Sequence, residues 1–337
     1  MDNLEQKQFT TSRSFTYNYY ISPSSSNTDS AKPTLVFLHG FPTTAHLFAN
    51  VIPHFINLPY RIIVPDLLGH GETSKPIDLI SYSSKKMNED LLEILDHEGV
   101  GKIIPIGHDM GSWFAQRVYV FNKDRCSALV LLSVAYSPPN TGPLAQPVTL
   151  ERFQSMTFEN SGYRQYEYFT FFLSPEAPTI MHDHAESMYH LIHGAEKDAI
   201  RKYYCEVDAF RAYIESDTKL PVREYANDPE MKGAFVKWAE KYGFEGPLAW
   251  YHAIIENVQF EAEKTIQPKD VVINHPLLFI GSTDDAVARA DAIERIKPYG
   301  LAPDLTVKVL DASHYIPLEK PDEVAEEIIN FLRVKNL

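Results

Sequence analysis

The stretch that most constrains the fold of this chain is Gly107-His108-Asp109-Met110-Gly111. Residues 102–106 before it predict a short buried strand, and residues 112–121 after it carry apolar side chains at helical spacing. A strand that passes directly into a helix through one residue, with a glycine two positions away on either side, is typical of a nucleophile elbow. The glycines let the two backbones approach closely, and the apex side chain lies beside a helix N-terminus, which favours negative charge.

The apex residue of this turn is Asp109, where a serine is usual. A carboxylate needs no base to activate it, and it can displace a leaving group from carbon to form an ester. The alternative is that Asp109 only caps the helix, a common use of aspartate. The motif alone leaves both interpretations open, so its partners must decide.

Strands and helices alternate on both sides of the elbow. Apolar or alternating runs predict strands over residues 14–21, 34–38, 61–65, 102–106, 128–132, 277–280 and 305–310. Helical spacing of apolar residues follows several of them, and Val324, Ile328 and Leu332 mark the last helix. This order predicts an α/β fold with a mostly parallel sheet and helices on both faces.

The alternation stops after residue 136. From residue 137 to residue 269 no buried strand is evident, and aromatic residues are frequent. An insertion of this length is in the size range of a domain. We therefore predict a core formed by residues 1–136 and 270–337 and a helical lid formed by residues 137–269.

Composition limits the class of protein. The 31 basic and 45 acidic residues give a net charge of −14, which disfavours nucleic acid as a partner. No run approaches the ~20 apolar residues of a membrane span, and the start of the chain lacks the pattern of a signal peptide. We expect a cytoplasmic protein; the ending Lys335-Asn336-Leu337 only faintly resembles a peroxisomal signal. Residues 22–30 predict a polar loop.

Two further strand ends carry residues that could act with Asp109. Asp284 and Asp285 follow the strand predicted over 277–280, and His314 follows the last strand. Functional groups collect at the carboxyl ends of strands in such sheets. A histidine near neutrality can take a proton from water, and an aspartate on its other nitrogen fixes the tautomer. The order nucleophile, acid, histidine is that of α/β-hydrolases.

Together with His39-Gly40-Phe41-Pro42, these residues resemble those of epoxide hydrolases with the α/β-hydrolase fold. The resemblance runs from about residue 30 to the end of the chain. Two segments of the lid take part in it: Tyr168-Phe169-Thr170-Phe171-Phe172 and Gly246-Pro247-Leu248-Ala249-Trp250-Tyr251. One departure is Met110, since many relatives have Trp after the nucleophile.

The resemblance implies a role for each residue of the core motifs. Asp109 is the nucleophile and His314 the base. Spacing from Gly281 favours Asp284 as the acid that orients the base, with Asp285 as the alternative. The family also implies a cis bond before Pro42, for which the cost at an X-Pro bond is only about 0.5–1 kcal/mol.

In the lid, the resemblance implies that Tyr168 and Tyr251 donate protons when the epoxide opens, with Tyr163 and Tyr166 as alternatives to Tyr168. The backbone N–H groups of Phe41 and Met110 would form the oxyanion hole. His39 and Trp250, from the same motifs, are expected at the substrate site.

The predicted function is hydrolysis of an apolar epoxide, aryl or aliphatic, with water to a vicinal diol. No metal or organic cofactor is expected, and the protein is expected to be a monomer or homodimer. The alternatives are a haloalkane or haloacid dehalogenase on the same fold and a non-catalytic ligand-binding member. Met110 lacks the side-chain donor that halide release needs, and none of the expected catalytic residues is missing.

Overall fold

An eight-stranded sheet forms the centre of the computed structural model, which describes residues 1–23 and 28–337. The polar loop predicted over residues 22–30 lies partly outside the described residues. The strands in chain order are β1 (Glu5–Thr10), β2 (Thr16–Ile21), β3 (Thr34–Leu38), β4 (Ile62–Pro65), β5 (Ile103–His108), β6 (Leu129–Leu132), β7 (Leu277–Ser282) and β8 (Leu305–Leu310).

The spatial order of the strands is β1-β2-β4-β3-β5-β6-β7-β8. β1 and β2 are antiparallel to their neighbours, and the pairs from β4 to β8 are parallel. Every residue of β3, β4, β5, β6 and β7 is buried. Strands covered on both faces need apolar side chains throughout, which explains their continuous apolar sequences. The predicted α/β fold with a mostly parallel sheet is confirmed.

All seven predicted strands are present, with bounds that differ by at most two residues. The edge strand β1 was not predicted. Its sequence, Glu-Gln-Lys-Gln-Phe-Thr, has no buried residue, so it lacks the apolar pattern from which strands are recognised.

Helices flank the sheet, and most of the α-helices lie in the chain segment that connects β6 to β7. The α-helices are α1 (Ser84–His97), α2 (Met110–Phe121), α3 (Leu150–Ser161), α4 (Phe169–Phe172), α5 (Ala177–Asp183), α6 (Ala185–Ile192), α7 (Ala199–Tyr204), α8 (Ala209–Glu215), α9 (Pro229–Tyr242), α10 (Glu245–Ile255), α11 (Val258–Glu263), α12 (Ile316–Glu319) and α13 (Pro321–Val334). Short 3₁₀ helices cover residues 45–48, 52–54, 79–82, 123–125, 224–226, 268–271 and 290–299. Within the described residues, no helix combines the length and the apolarity needed to span a bilayer.

The segment from α3 to α11 corresponds to the predicted lid, whose boundaries at residues 137 and 269 stay a prediction. Helix α10 contacts the loop after β4, where the Trp250 indole N–H donates to the Leu68 carbonyl over 2.8 Å. A side chain at Gly246 would lie 3.0 Å or less from Gly69, so this contact requires glycine. The lid segment is thereby held over the carboxyl ends of the strands.

Candidate active site

The turn between β5 and α2 has the geometry that its sequence predicts. Asp109 lies between the two elements with φ 55° and ψ −124°, a backbone conformation that non-glycine residues rarely adopt. Cβ atoms at Gly107 and Gly111 would collide with the backbone of Gly111 and of Leu38, respectively. The two glycines therefore permit the close packing of β5, α2 and β3 that directs the Asp109 side chain above the sheet.

The Asp109 carboxylate has a hydrogen-bond donor from the loop after β3. Its Oδ1 atom accepts from the Phe41 backbone N–H over 2.9 Å, and the Phe41–Pro42 bond is cis as predicted. Its Oδ2 atom lies 3.4 Å from Nε2 of His314. Burial disfavours the anion, but the positively charged His314 and the Met110 N–H outweigh it and lower the pKa of Asp109. The carboxylate is therefore ionised near neutrality.

His314 lies between two carboxylates. Its Nδ1 donates to Oδ2 of Asp285 over 2.6 Å, and its Nε2 faces Asp109. Burial opposes a charged imidazole, but the negative charges and hydrogen bonds of both aspartates outweigh it and raise the pKa of His314 to about 10. The imidazole therefore carries a proton on each nitrogen while both carboxylates are charged.

The structure corrects the choice of the residue that orients His314. Asp285, not Asp284, makes the hydrogen bond, and its side chain is fully buried, whereas that of Asp284 is 32% exposed. Oδ1 of Asp285 also accepts from the backbone N–H groups of Val287 and Ala288, over 2.9 and 2.8 Å. Asp284 instead accepts from Arg223 of the lid segment. The two neighbouring side chains point in different directions from the loop after β7.

The backbone of His314 is also fixed. Its carbonyl oxygen accepts from Nε2 of His108 over 2.9 Å and from the Ser133 hydroxyl over 2.7 Å. Burial, together with the charge of His314, lowers the pKa of His108 to about 4, so His108 is neutral. The loop after β8 is therefore held by Ser133, which follows β6, and by His108, the last residue of β5.

Tyr168 and Tyr251 lie opposite the carboxylate. Both line a cavity of about 40 Å³ that Asp109 and His314 also line, and their ring centroids are 6.2 Å apart. Burial, followed by the charge of Asp109, raises the pKa of each phenol well above 10. Among the described residues, neither hydroxyl has a hydrogen-bond partner. Two neutral phenols from distant parts of the lid therefore face the same small space as the carboxylate.

The alternatives to Tyr168 have other contacts. The Tyr163 hydroxyl donates to the Ala286 carbonyl over 2.6 Å, and Arg201 lies over the Tyr163 ring. The Tyr166 ring stacks on Phe153 at 4.6 Å and lines a second, larger cavity. Tyr168 is the one of the three that faces the small cavity.

His39 and Trp250 were expected at the substrate site, but the structure places both in buried contacts with the surrounding loops. His39 is fully buried, where its Nε2 accepts from the Leu67 N–H and its Nδ1–H donates to the Gly40 carbonyl. Trp250 uses its only donor on Leu68 and is 1% exposed. They hold the loops around the site and do not line the small or the large cavity.

Asp109 lies between two cavities of unequal size. Besides the cavity of about 40 Å³, it lines one of about 240 Å³ whose wall is mostly apolar and includes Met110 and Ile254. Tyr168 and Val287 line both. Sequence reasoning missed the remaining wall of the small cavity: Phe172, Ile192, Ile200, Tyr204 and Tyr315. Tyr315 could have been found as the neighbour of His314, but nothing distinguishes Tyr204 among the lid aromatics.

No group of three or more histidine, cysteine, aspartate or glutamate residues is arranged to hold a metal ion in the described part of the chain. The charged side chains at this site instead bind one another. The arrangement places together a carboxylate, an imidazole beside it, the backbone N–H of Phe41 and two phenols.

The chain is similar to several known epoxide hydrolases. Epoxide hydrolase A of Mycobacterium tuberculosis is 26% identical over 307 residues, which cover 89% of this chain and 90% of that protein. Epoxide hydrolase 2 of Siraitia grosvenorii is 28% identical over 313 residues, which cover 89% and 92%. The structure of potato (Solanum tuberosum) epoxide hydrolase I has the same fold, with a TM-score of 0.76 and 23% identity over 98% of this chain and 99% of that one.

The family described as alpha/beta hydrolase fold matches residues 33–321. The match includes β3 to β8, the elbow and both loops around His314. This chain belongs to the α/β-hydrolase fold family.

Proposed function

We propose that this protein hydrolyses apolar epoxides to vicinal diols through an ester on Asp109. The observation that carries the proposal is the convergence of Tyr168 and Tyr251 on the cavity that holds the carboxylate. An epoxide oxygen leaves as a strongly basic alkoxide, so ring opening needs an acid opposite the attacking group. The relatives named epoxide hydrolase support the same reaction.

In the first step, Oδ2 of Asp109 attacks one epoxide carbon while Oδ1 stays on the Phe41 N–H. The C–O bond to that carbon breaks, and the released alkoxide takes a proton from Tyr168 or Tyr251. The products are a hydroxyalkyl ester of Asp109 and a phenolate that regains its proton from solvent. The mostly apolar walls of both cavities favour aryl or aliphatic substituents.

Ester formation changes the protonation of His314. The negative charge of Asp109 helps to hold the pKa of His314 at about 10, and the ester has no such charge. We therefore expect the pKa of His314 to fall after alkylation, so that the imidazole loses its Nε2 proton to solvent and becomes neutral. Asp285 keeps the proton on Nδ1, so that Nε2 is free to act as a base.

In the second step, Nε2 of His314 removes a proton from water, and the resulting hydroxide attacks the ester carbonyl. The oxyanion that forms is stabilised by the N–H groups of Phe41 and Met110, where losing one such donor costs about 3 kcal/mol. Collapse of the intermediate breaks the bond between the Asp109 carbonyl carbon and the substrate oxygen, and the departing alkoxide takes a proton from His314 and leaves as the diol. The new carboxylic acid of Asp109, with one oxygen from water, returns a proton to His314 and becomes a carboxylate again.

The test is the mass of the His314→Gln variant after incubation with an epoxide. Without the base, alkylation continues while hydrolysis stalls, so the intact mass rises by one substrate mass on the peptide that contains Asp109. In a single turnover of the wild type in heavy-oxygen water, the first diol carries unlabelled oxygen from Asp109. Label in that first diol would contradict the ester mechanism, and halide release from haloalkanes without diol formation from epoxides would favour a dehalogenase.

A further inference from the structure

Arg223 joins the lid segment to the loop after β7, which carries Asp285, and to α12, the short helix that follows His314. Its Nη1 donates to Oε1 of Glu319 over 2.8 Å, and its Nη2 donates to Oδ2 of Asp284 over 2.6 Å. The three side chains are between 16% and 32% exposed, so solvent screens these contacts only in part. Asp284 directly precedes Asp285, and Glu319 is hydrogen-bonded to Ser313, the residue before His314.

On the core side, the two partners reach the site by short connections. Asp284 directly precedes Asp285, and its N–H donates to the Ala312 carbonyl over 3.0 Å, which ties the loop after β7 to the loop after β8. The second carboxylate oxygen of Glu319 accepts from the Ser313 N–H over 2.9 Å, one residue before His314.

On the lid side, the Arg223 backbone is itself anchored. Its N–H donates to the His193 carbonyl over 2.9 Å, and the Ala195 N–H donates to the Pro221 carbonyl over 2.8 Å. These bonds fix the segment before residues 224–226 against the end of α6, whose Ile192 lines the small cavity. The guanidinium is therefore presented from a held backbone and not from a free loop.

We propose that Arg223 is a positioning residue that keeps His314 and Asp285 in the geometry needed for ester hydrolysis. The proposal rests on the function proposed above. Removal of the guanidinium leaves the Asp284 and Glu319 carboxylates without their shared cation, and partly buried charges without partners are destabilising. Because Asp284 adjoins Asp285 and Glu319 holds Ser313, both loops shift. Alkylation by Asp109, which is held by the elbow, depends on these loops much less.

The experiment measures alkylation and ester hydrolysis separately, by rapid quench and intact mass, in full-length Arg223→Met. We expect hydrolysis to slow by about 10- to 100-fold, the size of effect that a misplacement of about 1 Å produces, so that the ester accumulates. Alkylation should change by a much smaller factor. A loss of folded protein would lower both amplitudes equally and leave the ratio of the two rates unchanged.

Three further variants test the mechanism. Arg223→Lys keeps a cation that cannot bind both carboxylates as a planar guanidinium does, and should restore part of the hydrolysis rate. Asp284→Asn weakens the contact between Arg223 and residue 284. It leaves no unpaired carboxylate at that position to repel Glu319, so it should slow hydrolysis less than Arg223→Met does. The control is Lys241→Met, which removes an exposed ion pair between α9 and Glu72 that contacts neither Asp284 nor Glu319, and it should leave both rates unchanged.

Equal slowing of both steps in Arg223→Met, no slowing, or a Lys variant no better than Met would overturn the positioning role. The wild type is measured in parallel to separate this result from the proposed function. If the wild type forms an ester on Asp109 and Arg223→Met hydrolyses it as fast, the positioning role alone fails. If the wild type forms no ester, the proposed function fails as well.

Discussion

In the core, three charged side chains are joined by one hydrogen bond and one ion pair, whereas in the lid two neutral phenols lie among aromatic rings. Asp109, His314 and Asp285 are held by hydrogen bonds and by one another's charge. Tyr168 and Tyr251 both pack edge-to-face on Phe172, with ring centroids 4.8 and 5.0 Å away. The core half should therefore respond to changes of charge and pH, and the lid half to removal of a donor or a change of shape.

The largest expected effect separates the two neighbouring aspartates of the core. Asp285→Asn leaves His314 without the carboxylate that fixes its tautomer, and we expect kcat for epoxide hydrolysis to fall by roughly 10⁴-fold. Asp284→Asn keeps the Asp285 contact and should cost no more than about 10-fold. Steady-state kinetics of both variants check this; equal losses would mean that the charge of the whole loop matters more than the contact to His314.

The next effect tests the lid half. Tyr168→Phe and Tyr251→Phe keep the ring packing and remove only the hydroxyl, so each should slow ring opening by roughly 10²–10⁴-fold, or less where the other tyrosine compensates. The double variant should form no ester in rapid-quench experiments while hydrolysis of an existing ester continues.

Tyr204→Phe is the matched control, since Tyr204 lines the same cavity and packs against Tyr168 at 5.4 Å. We expect it to keep most of the alkylation rate. If Tyr204→Phe were as slow as Tyr251→Phe, the assignment of the two acids would be wrong.

A smaller effect is expected on substrate choice. Ile254→Phe adds bulk to the cavity of about 240 Å³, and Ile200→Phe adds bulk to that of about 40 Å³. Ile254→Phe should lower kcat/KM for epoxides with a long or aryl substituent by about 10- to 200-fold, the range that such apolar contacts supply. It should leave kcat/KM for short epoxides unchanged. A panel of epoxides measures this; a loss for all substrates would indicate that Ile254 affects the fold.

The smallest effect is on stability against pH. The pKa of His314 rises from 6.5 to about 10 on folding, so its contribution to stability is fully present below pH 6.5 and is lost as the pH rises toward 10. Thermal unfolding of the wild type should therefore show a decline over this range that His314→Gln lacks. The Tyr168→Phe plus Tyr251→Phe variant should keep the decline, because the two phenols that it lacks are neutral over this range in the wild type. A wild-type profile parallel to that of His314→Gln would contradict the charge arrangement.

The sequence alone was sufficient to locate the elements that carry the core half of the site. Continuous apolar runs predict strands buried on both faces, and glycines around Asp109 predict the sharp turn, because both depend on local packing and backbone conformation. His314 was found by its place after the last strand. These features depend on chain order, which the sequence contains.

Only the tertiary structure decided between neighbours. Asp284 and Asp285 follow the same strand, but the bend of the chain after β7 turns their side chains in different directions, so Asp285 reaches His314 and Asp284 reaches Arg223. Trp250 and Tyr251 are adjacent on α10, where one residue corresponds to about 100° of rotation, so Tyr251 faces the cavity and Trp250 packs on Leu68. Which side faces the site depends on how distant elements pack, and spacing along the chain does not contain that information.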